Sequence, residues 1–277
     1  MRRVLAVAAG VAGARAVLRA LGTRQELERT NFRGRTVSLA GGPALAAGAS
    51  IAAAVSAPSP AAAAAALTAG LGSGAVGMYD DVVGSRPEQK AAKGFAGHLS
   101  ALREGRVTSG LVKIAGVGAA GLAAAALLAA DPRRPRRATR AGRVTDVLLG
   151  AGVIAGTANL LNLFDLRPGR ALKAGTLIGA PLAGGRTGGL ASGPVAVAAS
   201  VLPDDLDERV MLGDSGANAF GALLGVALAA RTGPVGRAGV LAAVAALTAA
   251  SEKVSFTKVI EGTPGLRQLD ALGRRTS

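Results

Sequence analysis

Residues 36–79 read TVSLAGGPALAAGASIAAAVSAPSPAAAAAALTAGLGSGAVGMY and contain no charged side chain. The run is too long for one membrane helix, because about 20 apolar residues already cross the hydrocarbon core of a bilayer. It is interrupted at Pro58-Ser59-Pro60, and proline is tolerated in the first turn of a helix but not in its interior. We therefore expect a hairpin of two membrane-spanning helices, at about 37–57 and 61–79.

Further apolar stretches follow the same pattern along the rest of the chain. We predict an all-α, polytopic membrane helix bundle of about nine transmembrane helices, forming a single domain over residues 1–277. The other predicted spans are 4–21, 114–130, 147–164, 171–184, 187–203, 215–230 and 238–251. The first span also resembles a cleaved signal peptide, with Arg2-Arg3 before the apolar stretch and Ala14-Arg15-Ala16 as a cleavage site.

Composition excludes several kinds of site. The chain has no cysteine, which rules out a disulfide framework, a thiolate nucleophile and a zinc site built on cysteine. His98 is the single histidine, so a metal centre with several histidines is excluded as well. Aromatic residues make up 2% of the chain and glycines number 41. Such small side chains suit helices that pack closely inside a bilayer.

Counts of Lys and Arg in alternate loops predict the orientation. With the N-terminus outside and the C-terminus cytoplasmic, 21 of the 32 basic residues fall on the inner side when counted from span to span. The predicted cytoplasmic segments are 22–35, 80–106, 165–173, 204–214 and the tail 252–277. The outer loop 131–143 is an exception, because it contains six arginines. It is either a solvated linker or a contact for anionic headgroups or cell-wall polymer. The net charge is +15, and we assign the basic residues behind it to the two membrane faces. No nucleic-acid partner is therefore predicted.

Acidic side chains are scarce, and most lie on the predicted inner side. Acids and asparagines lie at the ends of three predicted spans: Asp80 and Asp81, then Asn159, Asn162 and Asp165, then Asp214. Asp and Asn often do no more than end a helix at the water interface, but their recurrence at one face favours a shared site. Mg²⁺ takes one or two carboxylates plus phosphate oxygens, and Arg35, Lys90 and Lys93 offer phosphate contacts. Gly213 and Gly216 open a helix N-terminus, where anions bind well.

Four motifs in a fixed order resemble a known family. They are Arg33-Gly-Arg-Thr-Val-Ser-Leu-Ala-Gly-Gly42, Tyr79-Asp-Asp81, Asn159-x-x-Asn162-Leu-x-Asp165 and Gly213-Asp-Ser-Gly216. Over about residues 30–225 the chain resembles the polyprenyl-phosphate N-acetylhexosamine-1-phosphate transferases. That superfamily includes the phospho-N-acetylmuramoyl-pentapeptide transferase of peptidoglycan synthesis and the N-acetylglucosamine-1-phosphate transferases of polymer synthesis.

The resemblance implies a reaction and its site. A sugar-1-phosphate would pass from a UDP-sugar to a polyprenyl phosphate at the inner face of a bacterial plasma membrane, with release of UMP, in cell-envelope synthesis. Asp80 and Asp81 would be catalytic, and Asp214, Asn162 and Asp81 would bind Mg²⁺, with Mn²⁺ as an alternative. The substrate-binding positions would be Asn159, Asp165, Lys90, Lys93, Arg35 and Ser215. A homodimer is left open.

The chain departs from the family's pattern in three places. Members typically repeat Asp-Gly-Leu-Asp-Gly, but this chain reads Asp165-Leu-Arg-Pro-Gly169, so Pro168 replaces the second acid. The His-rich loop is missing, and a tail helix is predicted from Pro264 instead. The usual lysine before the glycine pair is absent, which leaves Arg35 as its substitute. A non-catalytic member that binds polyprenyl phosphate or assembles with envelope enzymes is the alternative; a transporter is disfavoured, because its ionisable residues would lie near mid-span.

Overall fold

The computed structural model describes residues 1–86, 94–134 and 138–275. Within these ranges the chain forms α-helices joined by loops, together with two single-turn 3₁₀ helices and one short β-hairpin. The helices are α1 Arg2–Leu21, α2 Gly41–Ser56, α3 Pro60–Val83, α4 Gly94–Arg103, α5 Ser109–Ala129, α6 Arg140–Phe164, α7 Arg170–Gly179, α8 Gly189–Leu206, α9 Gly213–Arg231, α10 Pro234–Ser251, α11 Phe256–Gly262 and α12 Pro264–Ala271. The strands are β1 Glu28–Thr30 and β2 Thr36–Ser38, which pair antiparallel.

Five of the described helices are long and apolar enough to cross a membrane, namely α1, α3, α5, α6 and α10. Helix α2 is apolar as well but has only 16 residues. The chain therefore has the makeup of a multi-pass membrane protein, in agreement with the predicted all-α bundle. The count of nine spans and the orientation stay predictions.

The predicted hairpin forms around the proline-rich break. Helix α2 ends at Ser56, and α3 begins at Pro60 after Ser59. The Ser59 hydroxyl oxygen accepts a hydrogen bond from the Ala62 backbone N–H at 3.1 Å, which caps the new helix. Helix α3 continues to Val83, so the acid pair that was predicted to open a cytoplasmic segment lies in the last helical turn.

Helix α9 runs through the centre of the bundle and is buried along almost its whole length. A methyl group at Gly221 would lie 2.6 Å from the Ala158 Cα, and one at Gly225 would lie 2.6 Å from the Ile154 Cα. Helices α6 and α9 therefore approach each other backbone to backbone. This close approach explains why the chain is rich in small residues and poor in aromatic ones.

The Gly77→Ala variant is expected to lower the free energy of unfolding by about 1–3 kcal/mol. The added methyl group would lie 2.7 Å from the Ser215 Cα and would overlap the Asp214 carbonyl group, which would separate α3 from the start of α9. Thermal unfolding in detergent measures the loss. Gly118→Ala is the matched control, because among the described residues nothing beyond its own helix backbone lies within 4 Å of its new methyl group. Equal melting temperatures for the two variants would contradict this packing.

Loops gather at two ends of the bundle. The arginine end comprises residues 1–3, 55–60, 129–134, 138–140, 180–189 and 229–237, and the acid end comprises residues 22–41, 80–86, 162–170 and 202–215. At the arginine end, Arg2 Nε donates to the Val55 carbonyl oxygen at 2.8 Å. At the acid end, the Met211 N–H donates to the Ser38 carbonyl oxygen at 2.9 Å. This bond ties strand β2 to the segment that leads into α9.

Candidate functional site

The N-terminus of α9 is capped by an acid from another helix. Asp81, in the last turn of α3, accepts hydrogen bonds from the backbone N–H groups of Asp214 and Ser215, each at 2.9 Å. The first N–H groups of a helix have no partner within it, and a carboxylate there also interacts favourably with the helix dipole. Gly213 has φ of 58°, and a side chain at this position would meet both Asp81 oxygens. The anion position that the sequence indicates at this helix end is therefore filled by the Asp81 carboxylate.

A lysine joins two acids that come from different helices. The Nζ atom of Lys113, in α5, lies 2.6 Å from Oδ2 of Asp80 and 2.6 Å from Oδ2 of Asp214. The two carboxyl groups also lie within hydrogen-bonding reach of each other, and the Lys113 ammonium group bridges them. All three side chains are partly buried, where charges are screened less than on an open surface.

Asp165 brings the end of α6 to the same place. It is the residue after the helix, and its carboxyl group faces the backbone N–H of Gly213. Burial raises the pKa of Asp165 well above its usual range, and the carboxylates of Asp205 and Asp214 raise it further. A protonated carboxyl group can donate a hydrogen bond, which an ionised one cannot. We call the set Asp80, Asp81, Lys113, Asp165 and Asp214 the acid cluster.

A cavity of about 220 Å³ opens beside Asp165. Phe32 forms part of its wall, and the Arg167 guanidinium lies 4.4 Å from the centre of the Phe32 ring. Asn31 Nδ2 donates to Glu208 Oε2 at 2.7 Å, which holds the hairpin turn on the loop before α9. Pockets for whole drug-sized ligands measure about 300–1,000 Å³, so this cavity fits one ring of such a ligand.

The acid cluster offers carboxylate oxygens, the kind of donor that Mg²⁺ prefers. Among the described residues, no three acidic or histidine side chains surround one point that a metal ion could occupy. Asp80 and Asp214 nevertheless converge on one cation, the Lys113 ammonium group. Mg²⁺ needs only one or two protein carboxylates when water and substrate phosphates complete its shell, so this donor pair fits the ion only where Mg²⁺ takes the place of the ammonium group between them. The assignments of Asp81 and Asn162 as ligands stay predictions.

The two predicted asparagines lie on α6 before Asp165. Asn159 is exposed, and its Nδ2 donates to Thr248 Oγ1 on α10 at 3.3 Å, so it faces away from the acid cluster. Asn162 lies closer to the acid cluster along α6, because its backbone carbonyl oxygen accepts a hydrogen bond from the Asp165 backbone N–H at 3.0 Å. The predicted phosphate contacts Lys90 and Lys93 lie outside the described residues.

Two further predicted residues contact protein groups. Ser215 is buried, and its hydroxyl donates to the Gly74 carbonyl oxygen at 2.9 Å, so it takes part in packing α9 against α3. Arg35 Nε lies 3.9 Å from Oε2 of Glu208, a residue that lines the cavity beside Asp165. Their roles in substrate binding stay predictions.

Lys113 was missed by the sequence reasoning, although the sequence contains a signal for it. It lies five residues into the apolar stretch that begins at Ser109. An ionisable side chain inside a membrane helix is costly, and it usually faces the bundle interior and pairs with another charge. A lone lysine in this position therefore predicts an acidic partner, but its identity depends on tertiary contacts.

The C-terminal tail is fixed to the acid end. Asp270 forms paired hydrogen bonds with Arg170, at 2.8 and 2.9 Å, and also with Arg274, at 2.6 and 2.9 Å. Arg274 Nε donates to the Pro168 carbonyl oxygen at 2.8 Å, and Lys173 Nζ donates to carbonyl oxygens at the end of α12. Arg274 is thus bound within the protein.

Neither a protein-family model nor a curated protein matches the chain. The resemblance therefore depends on the four motifs and their order. The conclusions about function below depend on those motifs together with the geometry of the acid cluster.

Proposed function

We propose that the chain transfers a sugar-1-phosphate, of the N-acetylhexosamine class, from a UDP-sugar to a polyprenyl phosphate at the cytoplasmic face of a bacterial plasma membrane. The product UMP is released, and the lipid-linked sugar enters cell-envelope polymer synthesis. The observation that carries the proposal is the acid cluster at one end of an apolar helix bundle, with Lys113 between Asp80 and Asp214. At such a position a polyprenyl chain can remain in the bilayer while its phosphate reaches charged groups.

The reaction exchanges one phosphorus–oxygen bond for another. An oxygen of the polyprenyl phosphate forms a bond to the sugar-bearing phosphorus, and the bond from that phosphorus to the UMP oxygen breaks. UMP leaves with the electron pair of that bond. A phosphate monoester has a second pKa of about 6, so the attacking oxygen is mostly ionised at neutral pH. The protein's task is therefore to position the two phosphates and to stabilise charge.

Each member of the acid cluster has a part in this task. Lys113 presents a cation to the phosphate oxygens that gain charge in the transition state. Asp80 and Asp214 orient that ammonium group, and with the ammonium group moved from between them toward the phosphates they would hold Mg²⁺, which would neutralise charge on the diphosphate. Asp81 acts as a positioning residue, because it fixes the start of α9 and hence Asp214. The cavity beside Asp165 is sized for a ring of the donor.

Transfer is tested with purified protein, Mg²⁺, polyprenyl phosphate and a panel of radiolabelled UDP-sugars. We expect a lipid-linked product from at least one donor, and we expect Asp214→Asn to reduce its rate by about 10²-fold or more. Asp207→Asn is the matched control, since Asp207 lies at the same end but pairs with Arg209 and Arg275. The control should keep nearly the full rate.

The competing function is lipid binding without transfer. Wild-type protein that binds polyprenyl phosphate but forms no product from any donor would refute the transferase and leave a binding or scaffold protein of cell-wall synthesis. Equal rates for the Asp214→Asn and Asp207→Asn variants would show that the acid cluster is not the site.

A further inference from the structure

A second cavity lies at the arginine end, opposite the acid cluster. Its volume is about 550 Å³. It opens where the connections α2–α3, α5–α6 and α9–α10 meet. We call it the arginine cavity after its charged lining, which consists of Arg133, Arg134, Arg186, Arg231, Arg237, Asp131 and Asp146.

The two acids of the arginine cavity are already engaged. Asp146 pairs with the buried Arg237 at 2.7 Å. Asp131 accepts the Ser59 hydroxyl and, at 3.0 Å, the Arg133 backbone N–H. Five arginines against two aspartates leave three positive charges unbalanced among these lining residues.

Two of the arginines, Arg134 and Arg237, lie close together, and of these two Arg237 is the one that pairs with Asp146. The guanidinium groups of Arg134 and Arg237 both donate to the carbonyl oxygen of Ala229, at 3.0 Å from Arg134 and at 2.8 and 3.0 Å from Arg237. Burial lowers the pKa of Arg134, and the neighbouring charge of Arg237 lowers it further. The repulsion between these two positive charges costs free energy while no anion balances them. An anion bound in the cavity would relieve it.

The open side of the cavity offers further donors. Arg186 and Arg231 are exposed, and Arg231 uses one nitrogen to donate to the Gly184 carbonyl oxygen at 2.9 Å. A guanidinium group carries five N–H donors, so donors remain for a ligand. The cavity also reaches Gly233, the N-cap of α10, where no side chain caps the helix. Uncapped N–H groups at a helix start attract anions.

We propose that the arginine cavity binds a phosphate group, as carried by an anionic lipid headgroup or by free phosphate. Planar guanidinium groups match phosphate oxygens in pairs, and basic pockets between membrane helices accept phospholipid headgroups. The cavity lies at the ends of α5, α6 and α10, three helices that are long and apolar enough to cross a membrane, and headgroups lie at the ends of membrane-spanning helices. It is separated from the acid cluster by the length of the bundle, so this proposal stands independently of the transferase.

The test measures binding of short-chain phosphatidylglycerol and of inorganic phosphate to the purified full-length protein in a zwitterionic detergent. Calorimetry gives the dissociation constants. We expect the Arg186→Gln/Arg231→Gln double variant to bind at least about tenfold more weakly than the wild type. Binding of the lipid alone identifies a headgroup site, and equal binding of inorganic phosphate identifies a phosphate site; both support the proposal.

Arg140→Gln is the matched control, because Arg140 lies at the same end but does not line the cavity. It should bind within about twofold of wild type, and the melting temperatures without ligand should agree for all three proteins, since the substituted residues are exposed. No binding of either probe by the wild type would overturn the proposal. So would an equal loss in the control and the double variant, which would indicate only a general attraction of anions to a basic surface.

Discussion

The Lys113→Gln variant is expected to lose about 10²- to 10³-fold of the proposed transferase turnover while remaining folded. Lys113 is the cation that lies 2.6 Å from both Asp80 and Asp214. Without it, the two carboxyl groups can share a proton, so the helices stay together. In the proposed reaction the phosphate oxygens would, however, lose the ammonium group that stabilises them in the transition state. Because the loss concerns the transition state, kcat should fall much more than KM rises.

Lys253→Gln is the control for a lost positive charge at the same end. Lys253 is exposed beyond α10, and its substitution should leave turnover nearly unchanged. Lys113→Arg should keep part of the activity, because it keeps the positive charge but replaces the compact ammonium group with a planar guanidinium group. Turnover of Lys113→Gln within about threefold of wild type would show that the ammonium group has no part in the reaction.

The Asp270→Asn variant is expected to release the C-terminal tail from the acid end. Removing one partner of a buried ion pair costs about 3–5 kcal/mol, because the other charge stays buried without compensation. Here Asp270 holds Arg170, whose side chain is 4% exposed, and also Arg274. A spin label attached to a cysteine introduced by Gln268→Cys measures the release. The label attaches at this one site, because the chain has no native cysteine. We expect an immobile label in the parent and a mobile one in the variant at neutral pH.

Acid should release the tail in the same way. Burial opposes ionisation of Asp270, but the hydrogen bonds from Arg170 and Arg274 outweigh it and lower the pKa from 3.8 to about 2. A carboxylate whose pKa is lower in the folded form stabilises that form above about pH 4, and the contribution is lost as the pH falls toward 2. The label should therefore become mobile across this interval.

Glu261→Gln is the control for both tail experiments. Glu261 is more than half exposed, and it lies 3.9 Å from Arg167, so its loss should change little. A label that stays immobile in Asp270→Asn, or that becomes equally mobile in Glu261→Gln, would contradict the role assigned to the buried pair.

The helical hairpin could be predicted because its signals are local. A charge-free run of two span lengths and a proline-rich break are properties of neighbouring residues, and the break at Ser59 lies where the sequence places it. The acids at helix ends could be predicted for the same reason. Their arrangement could not, because the cap that Asp81 forms on α9 joins residues more than 130 positions apart. From the sequence alone, such a carboxylate cannot be distinguished from a metal ligand.

The tail shows the same limit. Its helix from Pro264 could be predicted from local capping and periodicity, and it forms as expected. The partners of its charges could not, since Asp270 pairs with an arginine 100 residues earlier. Basic residues in a tail suggest a ligand or a lipid surface when the acid that holds them is unknown.

The most direct measurement follows the sugar-bearing phosphorus. A UDP-sugar labelled with ³²P at that phosphorus is incubated with the protein, Mg²⁺ and polyprenyl phosphate, and the lipid and aqueous phases are then separated. The label is predicted to enter the lipid phase together with the sugar, while unlabelled UMP is found in the water. Label that stays entirely in the aqueous phase for every donor tested would contradict sugar-1-phosphate transfer.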